Sequence, residues 1–227
     1  MASGDHSDAA VAQLVEDVER ADSALGLLQA TQALAASAHP DGAACLVEVL
    51  GFNNPGAAVA AVDGLVAIGE PAVATILANI DGNNYGARAW AVRALAGIGD
   101  VRGLAVLEDA LGQDIGPSVR RAAARGLGQL RLAGLPAEER GPIAARCLAA
   151  LLAGCGDGEW VVRYAVVVGL EALAPELRGD PDGTGAILSA LERLSRDDPD
   201  GASVVCLRAA LALSRLAPGT ALEATDG

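Results

Sequence analysis

The sequence predicts an all-α protein, a solenoid of about six helix pairs, and three observations predict it. Residues 53–69 (NNPGAAVAAVDGLVAIG) and 83–99 (NNYGARAWAVRALAGIG) are two copies of one segment at an offset of 30. One such unit cannot bury its apolar face alone, so units of this length stack into an array. The copying continues in weaker form. A shift of 32 carries Arg88, Ala91, Arg93 and Leu95 onto Arg120, Ala123, Arg125 and Leu127, and a further 43 carries Arg120 and Leu127 onto Arg163 and Leu170. The longer second spacing absorbs the insertion RLAGLPAEERGP. Finally, apolar residues recur every three to four positions, as in Val62, Leu65, Val66 and Gly69 or in Leu104, Leu107 and Leu111. That is the period of a helix with one buried face.

In chain order the spacing predicts helices over 8–20 with 23–38, 43–51 with 57–68, and 71–80 with 87–98. It then predicts 101–112 with 118–131, 138–153 with 160–174, and 184–196 with 202–216. Ser23 and Ser118 read as N-caps or first-turn residues. The turns are punctuated by Asn53-Asn54-Pro55-Gly56, Asp81-Gly82, Asp157-Gly158 and Asp198-Pro199-Asp200-Gly201. Val161-Val162 and Val166-Val167-Val168 are β-branched, but the repeat register and the surrounding Ala/Leu pattern place them in a helix. Gly64, Gly97, Gly126, Gly128 and Gly169 each cost about 1 kcal/mol of helix propensity. Their recurrence beside leucines points to helices that approach too closely for a side chain.

Composition fits one repeat domain over 1–227, with residues 1–7 and 219–227 expected as flexible tails. The chain is 52% hydrophobic but only 2% aromatic, so its core is built of Ala, Leu and Val in thin layers. No apolar run approaches the roughly 18–20 residues of a membrane span, and the start MASGDHSDAA lacks the basic and apolar regions of a signal peptide. Cys45, Cys147, Cys155 and Cys206 show no C-x-x-C spacing, which argues against a disulfide framework or a zinc site. A cytoplasmic, reducing compartment is the simplest reading.

Charge is uneven. The chain has 16 Arg, no Lys and a net charge of −13. Residues 1–87 carry −10, residues 88–163 carry +2 and residues 164–227 carry −5. Both ends would repel phosphate, which argues against nucleic acid as a partner. The arginine-rich middle remains able to grip a discrete anion, since guanidinium pairs with carboxylates in bidentate fashion and stacks on rings.

An ordinary catalytic centre is not written in this sequence. The two histidines, His6 and His39, lie in the N-terminal tail and beside Pro40 at a turn. A His-dependent triad or His metal site is therefore not expected. Gly97-Ile98-Gly99 closes a helix of the repeat and is no phosphate-cradling loop. No metal site is expected, and any catalysis must come from positioning a reactive ligand.

Within this frame, LGFNNPGAAVAAVDGLVAIGEPAV, LANIDGNNYGARAWAVRALAGIGDVRGLAVLEDAL, SVRRAAARGLGQL and GEWVVRYAVVVGLEALAPE resemble the F-type subunit of the E/F-type phycobilin lyases. These are HEAT-like repeat proteins of cyanobacteria. The resemblance covers about residues 20–178 and is most specific in NNPGAAVAAVDGL and NYGARAWAVRALAGIGD. It implies a right-handed α-solenoid of about six HEAT-like pairs and a cytoplasmic, cyanobacterial lyase active as a heterodimer with an E-type subunit. In the phycocyanin α-subunit branch, the product is a thioether between a phycobilin (phycocyanobilin or phycoerythrobilin) and a cysteine of apo-phycocyanin α. The pigment is then a bound substrate, and no prosthetic group is implied. The cysteine-rich motif of the isomerising branch is absent from the sequence, which implies transfer without isomerisation. The alternative is a non-catalytic HEAT-repeat protein that binds phycobiliproteins during phycobilisome assembly or degradation.

The resemblance also gives the unusual residues a purpose. A bilin carries two propionates, a conjugated ring system and an ethylidene on ring A. The acceptor supplies the thiol, so the lyase needs an anion grip, a stacking surface and partners for the pyrrole nitrogens. The bilin-binding candidates are Tyr85, Arg88, Trp90 and Arg93, then Arg120 and Arg125, with Arg121 alongside, and finally Trp160, Arg163 and Tyr164. Asp81, Asp114 and Asp157 are candidate partners for the pyrrole N–H groups. Several keep a second role open. Trp90 aligns with Ala60 and Ala122 and so fits a core gap, while Arg88, Arg120 and Arg163 fit a ladder that holds turn carboxylates of the array. The three aspartates fit turn caps, and Cys155 fits a passive thiol with no activating Arg or His nearby.

Overall fold

The structure, a computed structural model, describes residues 3–80 and 84–217, with side chains from residue 8 onward. Among these residues there are α-helices and short 3₁₀ turns, with no strand. The helices are α1 Ser3–Glu19, α2 Ala24–Ser37, α3 Ala43–Val49, α4 Pro55–Ile68, α5 Val73–Ala78 and α6 Tyr85–Ile98. They continue as α7 Leu104–Gln113, α8 Pro117–Gly128, α9 Ala137–Gly154, α10 Trp160–Leu173, α11 Pro181–Arg196 and α12 Ser203–Leu216. The six expected pairs are all present. The valine-rich stretch lies wholly in α10. The first helix begins at Ser3, so most of the expected N-terminal tail is helical, while residues 218–227 lie outside the described residues.

The repeated letters have local causes. Asn54 and Asn84 are the N-caps of α4 and α6, and their Oδ1 atoms accept from the Ala57 and Ala87 N–H groups at 3.1 and 3.0 Å. Such a cap is worth about 1 kcal/mol over alanine. Gly69 and Gly99 end the same two helices with φ of 77° and 69°, a region glycine enters without cost. Ser23 caps α2 as expected, accepting from the Gly26 N–H at 3.1 Å. Ser118 does not cap α8; Pro117 occupies the first turn, behind Gly116, where its missing N–H costs nothing. The α3, α5 and α7 helices are each entered through a 3₁₀ turn, at Pro40–Gly42, Glu70–Ala72 and Val101–Gly103, so α5 and α7 start later than the apolar period alone predicts, while α3 starts at residue 43 as expected.

The repeat array that the sequence presents as one domain divides into two compact units, residues 1–107 and 108–227. In the first, the second helices of successive pairs stack as α2, α4 and α6, with α1 and α3 behind α2 and α4. Leu46, Leu65, Ile76 and Leu95 are fully buried there, each contributing about 1.5–3 kcal/mol. In the second, α8, α10 and α12 stack in the same way, with α9 behind α10 and α11 behind α12. Here the glycines do what their position promised. A Cβ on Gly128 would fall 2.3 Å from the Gly169 oxygen, so α8 and α10 touch backbone to backbone. That contact fixes the register of the helices carrying Arg121, Arg125 and Tyr164.

Candidate functional site

The first unit gathers its unusual residues at the edge where its second helices begin. Asn54 faces two ways there, since its Oδ1 caps α4 while its Nδ2 donates to the Ala24 carbonyl at 2.9 Å. This links the start of α4 to the start of α2. Beside it lies a cavity of about 310 Å³ lined by Leu50, Phe52, Asn54, Pro55, Asn84, Gly86 and Trp90. Tyr85, the first residue of α6, stands next to it and is 45% exposed. One turn further on, the Arg93 guanidinium sits over the Trp90 ring, 4.7 Å from its centroid. That cation–π contact orients an exposed cation without neutralising it. Arg88 is half-buried at the register of Arg120. Asp81, proposed for the pyrrole nitrogens, lies outside the described residues.

In the second unit the ladder role takes two of the arginines. Arg120 donates through Nε and Nη2 to both oxygens of Asp157 at 2.7 and 2.9 Å, and through Nη1 to the Asp114 and Ile115 carbonyls. Arg163 repeats the pattern one turn of the array later, gripping both oxygens of Asp198 at 2.7 Å and the Asp157 carbonyl at 2.6 Å. Arg163 and Asp198 have no exposed side-chain surface. The expectation that Arg120 and Arg163 bind a ligand is thus corrected. Each second helix clamps the turn of its own pair and the turn of the next, and Arg163 has no surface left to offer.

Two of the expected pyrrole partners are corrected with them. Burial pushes the Asp157 carboxyl up, but the Arg120 bonds and the Glu159 N–H more than offset this and hold it below its usual range. Asp114 is buried and accepts from the Gly116 N–H at 2.9 Å, in the turn that precedes α8. Both are turn carboxylates already engaged with the scaffold.

The remaining candidates of this unit stay at the surface. Trp160 is 46% exposed at the start of α10, Tyr164 is half-buried one turn on, and Arg125 is exposed on α8. Arg121 and Arg125 make no ion pair among the described residues. Cys155 is buried, and Arg193 lies close enough to draw its thiol pKa down, a neighbour the sequence did not reveal. Burial is the larger effect and leaves the pKa raised, so the thiol is passive as expected. Burial likewise pushes Cys45 up to about 11 and Cys147 up to about 12.

Two contributors escaped the sequence reading. Phe52, the single phenylalanine of the chain, stands half-exposed in the α3–α4 turn. It lines both the cavity beside Tyr85 and a second one of about 330 Å³ floored by Val18, Leu27 and Val49. The feature that drew attention to Tyr85, an aromatic ring in a polar turn, applies equally to Phe52. Asp198 was legible only as turn punctuation, and its role as the Arg163 counter-ion depends on a contact 35 residues away.

Comparison with known proteins agrees with this architecture. Residues 77–139 match the HEAT repeat family model. The chain is 54% identical over 166 residues to the phycocyanin alpha phycocyanobilin lyase CpcF of Synechocystis sp., covering 73% of this chain and 78% of that one. It is 46% identical over 203 residues to the bilin biosynthesis protein RpcF of Synechococcus sp. strain WH8020, covering 89% and 94%. Among solved structures, it superposes with a TM-score of 0.69 at 41% identity on a chain of the complex of CpcE and CpcF of phycocyanin lyase from Nostoc sp. PCC7120. That match covers 77% of this chain and 99% of the other.

Proposed function

The chain belongs to the family of F-type subunits of the phycobilin lyases, and on that footing we propose that it is one half of a heterodimeric bilin lyase. With an E-type partner it attaches a phycobilin to a cysteine of the phycocyanin α subunit. The observation that carries the reading is the edge of the first unit, where a cavity, a half-exposed tyrosine and a ring-mounted cation stand together on a capped, rigid pair of helix starts.

The chemistry asks for no more than this. The sulfur of the acceptor thiolate forms a bond to the exocyclic carbon of the ring A ethylidene. The electron pair of that double bond moves into the ring and takes up a proton, and nothing leaves. Such an addition is accelerated by holding the two reactants in line. Arg93, which has no carboxylate partner among the described residues, is suited to a propionate. Trp90, Phe52 and Tyr85 give walls for a flat conjugated ligand. Three of the chain's four thiols are kept away from an electrophilic pigment, since Cys45, Cys147 and Cys155 are buried with raised pKa values, while Cys206 is half-buried. The pigment is a substrate in this scheme.

No single helix among the described residues is long and apolar enough to cross a membrane. We place the reaction in the cyanobacterial cytoplasm, where acceptor and pigment would meet. Coexpression with an E-type subunit, apo-phycocyanin α and a bilin-synthesising system tests the assignment. The expected product is pigment that stays on the α subunit through denaturing electrophoresis, formed well only when both lyase subunits are present. Equal attachment with this chain omitted would overturn the reading.

A further inference from the structure

The second-helix layer of the second unit carries, beside the pigment candidates Arg125 and Tyr164, an apolar part on α12 that the pigment chemistry does not use. At a strict spacing of 43 residues, Arg121 and Arg125 of α8 correspond to Tyr164 and Val168 of α10 and to Leu207 and Leu211 of α12. The three helices are neighbours in that order. The layer therefore runs from two unpaired cations, across a tyrosine, to an aliphatic stripe. Val204, Leu207 and Leu211 recur on α12 at the i, i+3, i+7 spacing of a helix-contacting seam. They are 41, 71 and 43% exposed, and Arg208, one turn from Val204 and from Leu211, ties the helix to α10 through its ion pair with Glu171.

In the first unit the same register carries Val59 and Asp63 on α4 and Ala89 and Arg93 on α6, so of these four positions only Val59, 44% exposed, is an exposed aliphatic. Arg121 and Arg125 stand four residues apart, a like-charge arrangement that costs about 0.2–0.5 kcal/mol on a helix and is relieved by a carboxylate between them. On a chain of net charge −13, such a cationic border selects an acidic partner.

We propose that this face is the docking surface for an amphipathic helix of the acceptor apoprotein. The helix crosses α12, α10 and α8, which at interaxial distances of about 8–10 Å span about 20 Å, so that apolar residues near one end lie on Leu207 and Leu211 and acidic residues near the other meet Arg121 and Arg125. The inference rests on the lyase reading given above. The surface offers three exposed aliphatic residues and two cations. That is the scale of a transient, electrostatically steered encounter, whereas a permanent subunit interface is larger and more apolar. An acceptor must leave once its cysteine is modified, whereas the E-type subunit stays.

The test measures direct binding of apo-phycocyanin α to the complex of this chain with its E-type subunit, beside pigment transfer, for wild type, Leu207→Asp and Arg121→Glu. Both substitutions sit at exposed positions and are expected to leave the fold intact, which circular dichroism checks. Acceptor affinity is expected to fall about tenfold or more in each, and its salt dependence to flatten in Arg121→Glu. Affinity for the E-type subunit stays as in wild type in both, and non-covalent pigment binding stays as in wild type in Leu207→Asp. Unchanged acceptor affinity overturns the proposal. So does loss of the E-type subunit, which would assign the face to that partner, or a change in self-association, which would assign it to a second copy. Acceptor binding that is weakened by the variants while wild type transfers no pigment would support the surface and count against the lyase reading, so the two fail separately.

Discussion

Replacing Asp198 by alanine is the sharpest test of the scaffold. The Asp198 carboxylate receives two bonds from Arg163 at 2.7 Å and accepts the Ala202 N–H at 2.9 Å, and neither side chain of the ion pair reaches solvent. Its removal leaves a guanidinium buried with only the Asp157 carbonyl and the Asp200 carboxylate to face. Breaking a buried pair from one side costs about 3–5 kcal/mol. At about 2–4 °C per kcal/mol for a chain of this size, the melting temperature falls by roughly 6–20 °C. Differential scanning calorimetry or urea unfolding reads the change. Two controls bracket it. Arg146→Ala removes an exposed pair with Glu108 and costs at most about 1 kcal/mol. The double change Arg163→Met with Asp198→Leu removes both charges and recovers most of the loss. A loss below about 1 kcal/mol in Asp198→Ala would refute the lock. Reduced pigment transfer by an Arg163→Met, Asp198→Leu protein of normal stability would refute the scaffold assignment of Arg163.

Three further outcomes are expected. Tyr85→Pro should fold normally, because Pro55 holds the same first-turn position behind an asparagine cap of similar backbone angles, yet transfer pigment poorly; equal transfer by folded protein would remove Tyr85 from the site. Asp157 and Asp198 titrate below the ordinary carboxylate range in the folded chain, so their contribution is fully present above a pH of about 4 and is lost as pH falls through their lowered pKa values; Asp198→Asn should flatten the melting temperature against pH in that acid window, measured by circular dichroism. Gly128→Ala drives a methyl into the Gly169 backbone and should cost about 1–3 kcal/mol or more, whereas Gly185→Ala, with open space around it in α11, should stabilise by about 0.4–1 kcal/mol, both read by urea unfolding.

Helix positions and most of their ends were determined by the sequence alone. Asn54, Asn84, Gly69 and Gly99 act within a few residues of themselves, through cap hydrogen bonds and positive φ angles, and local causes leave local marks. The offset between the two copies likewise announced the stacking, because a unit with one apolar face must find a neighbour. The sorting of the arginines was decided by the tertiary structure. In the repeat alignment Arg88, Arg120 and Arg163 share one register, Arg93 and Arg125 another, and nothing in it says which of them finds a counter-ion. Burial and a carboxylate arriving from 35 or 37 residues away turn Arg163 and Arg120 into scaffold. Arg93 instead rests on Trp90, and Arg121 and Arg125 make no ion pair among the described residues. Phe52 gained its place in the same way, from the two cavities that folding put on either side of it. A counter-ion or a cavity belongs to a meeting of distant segments, and no single stretch of sequence contains it.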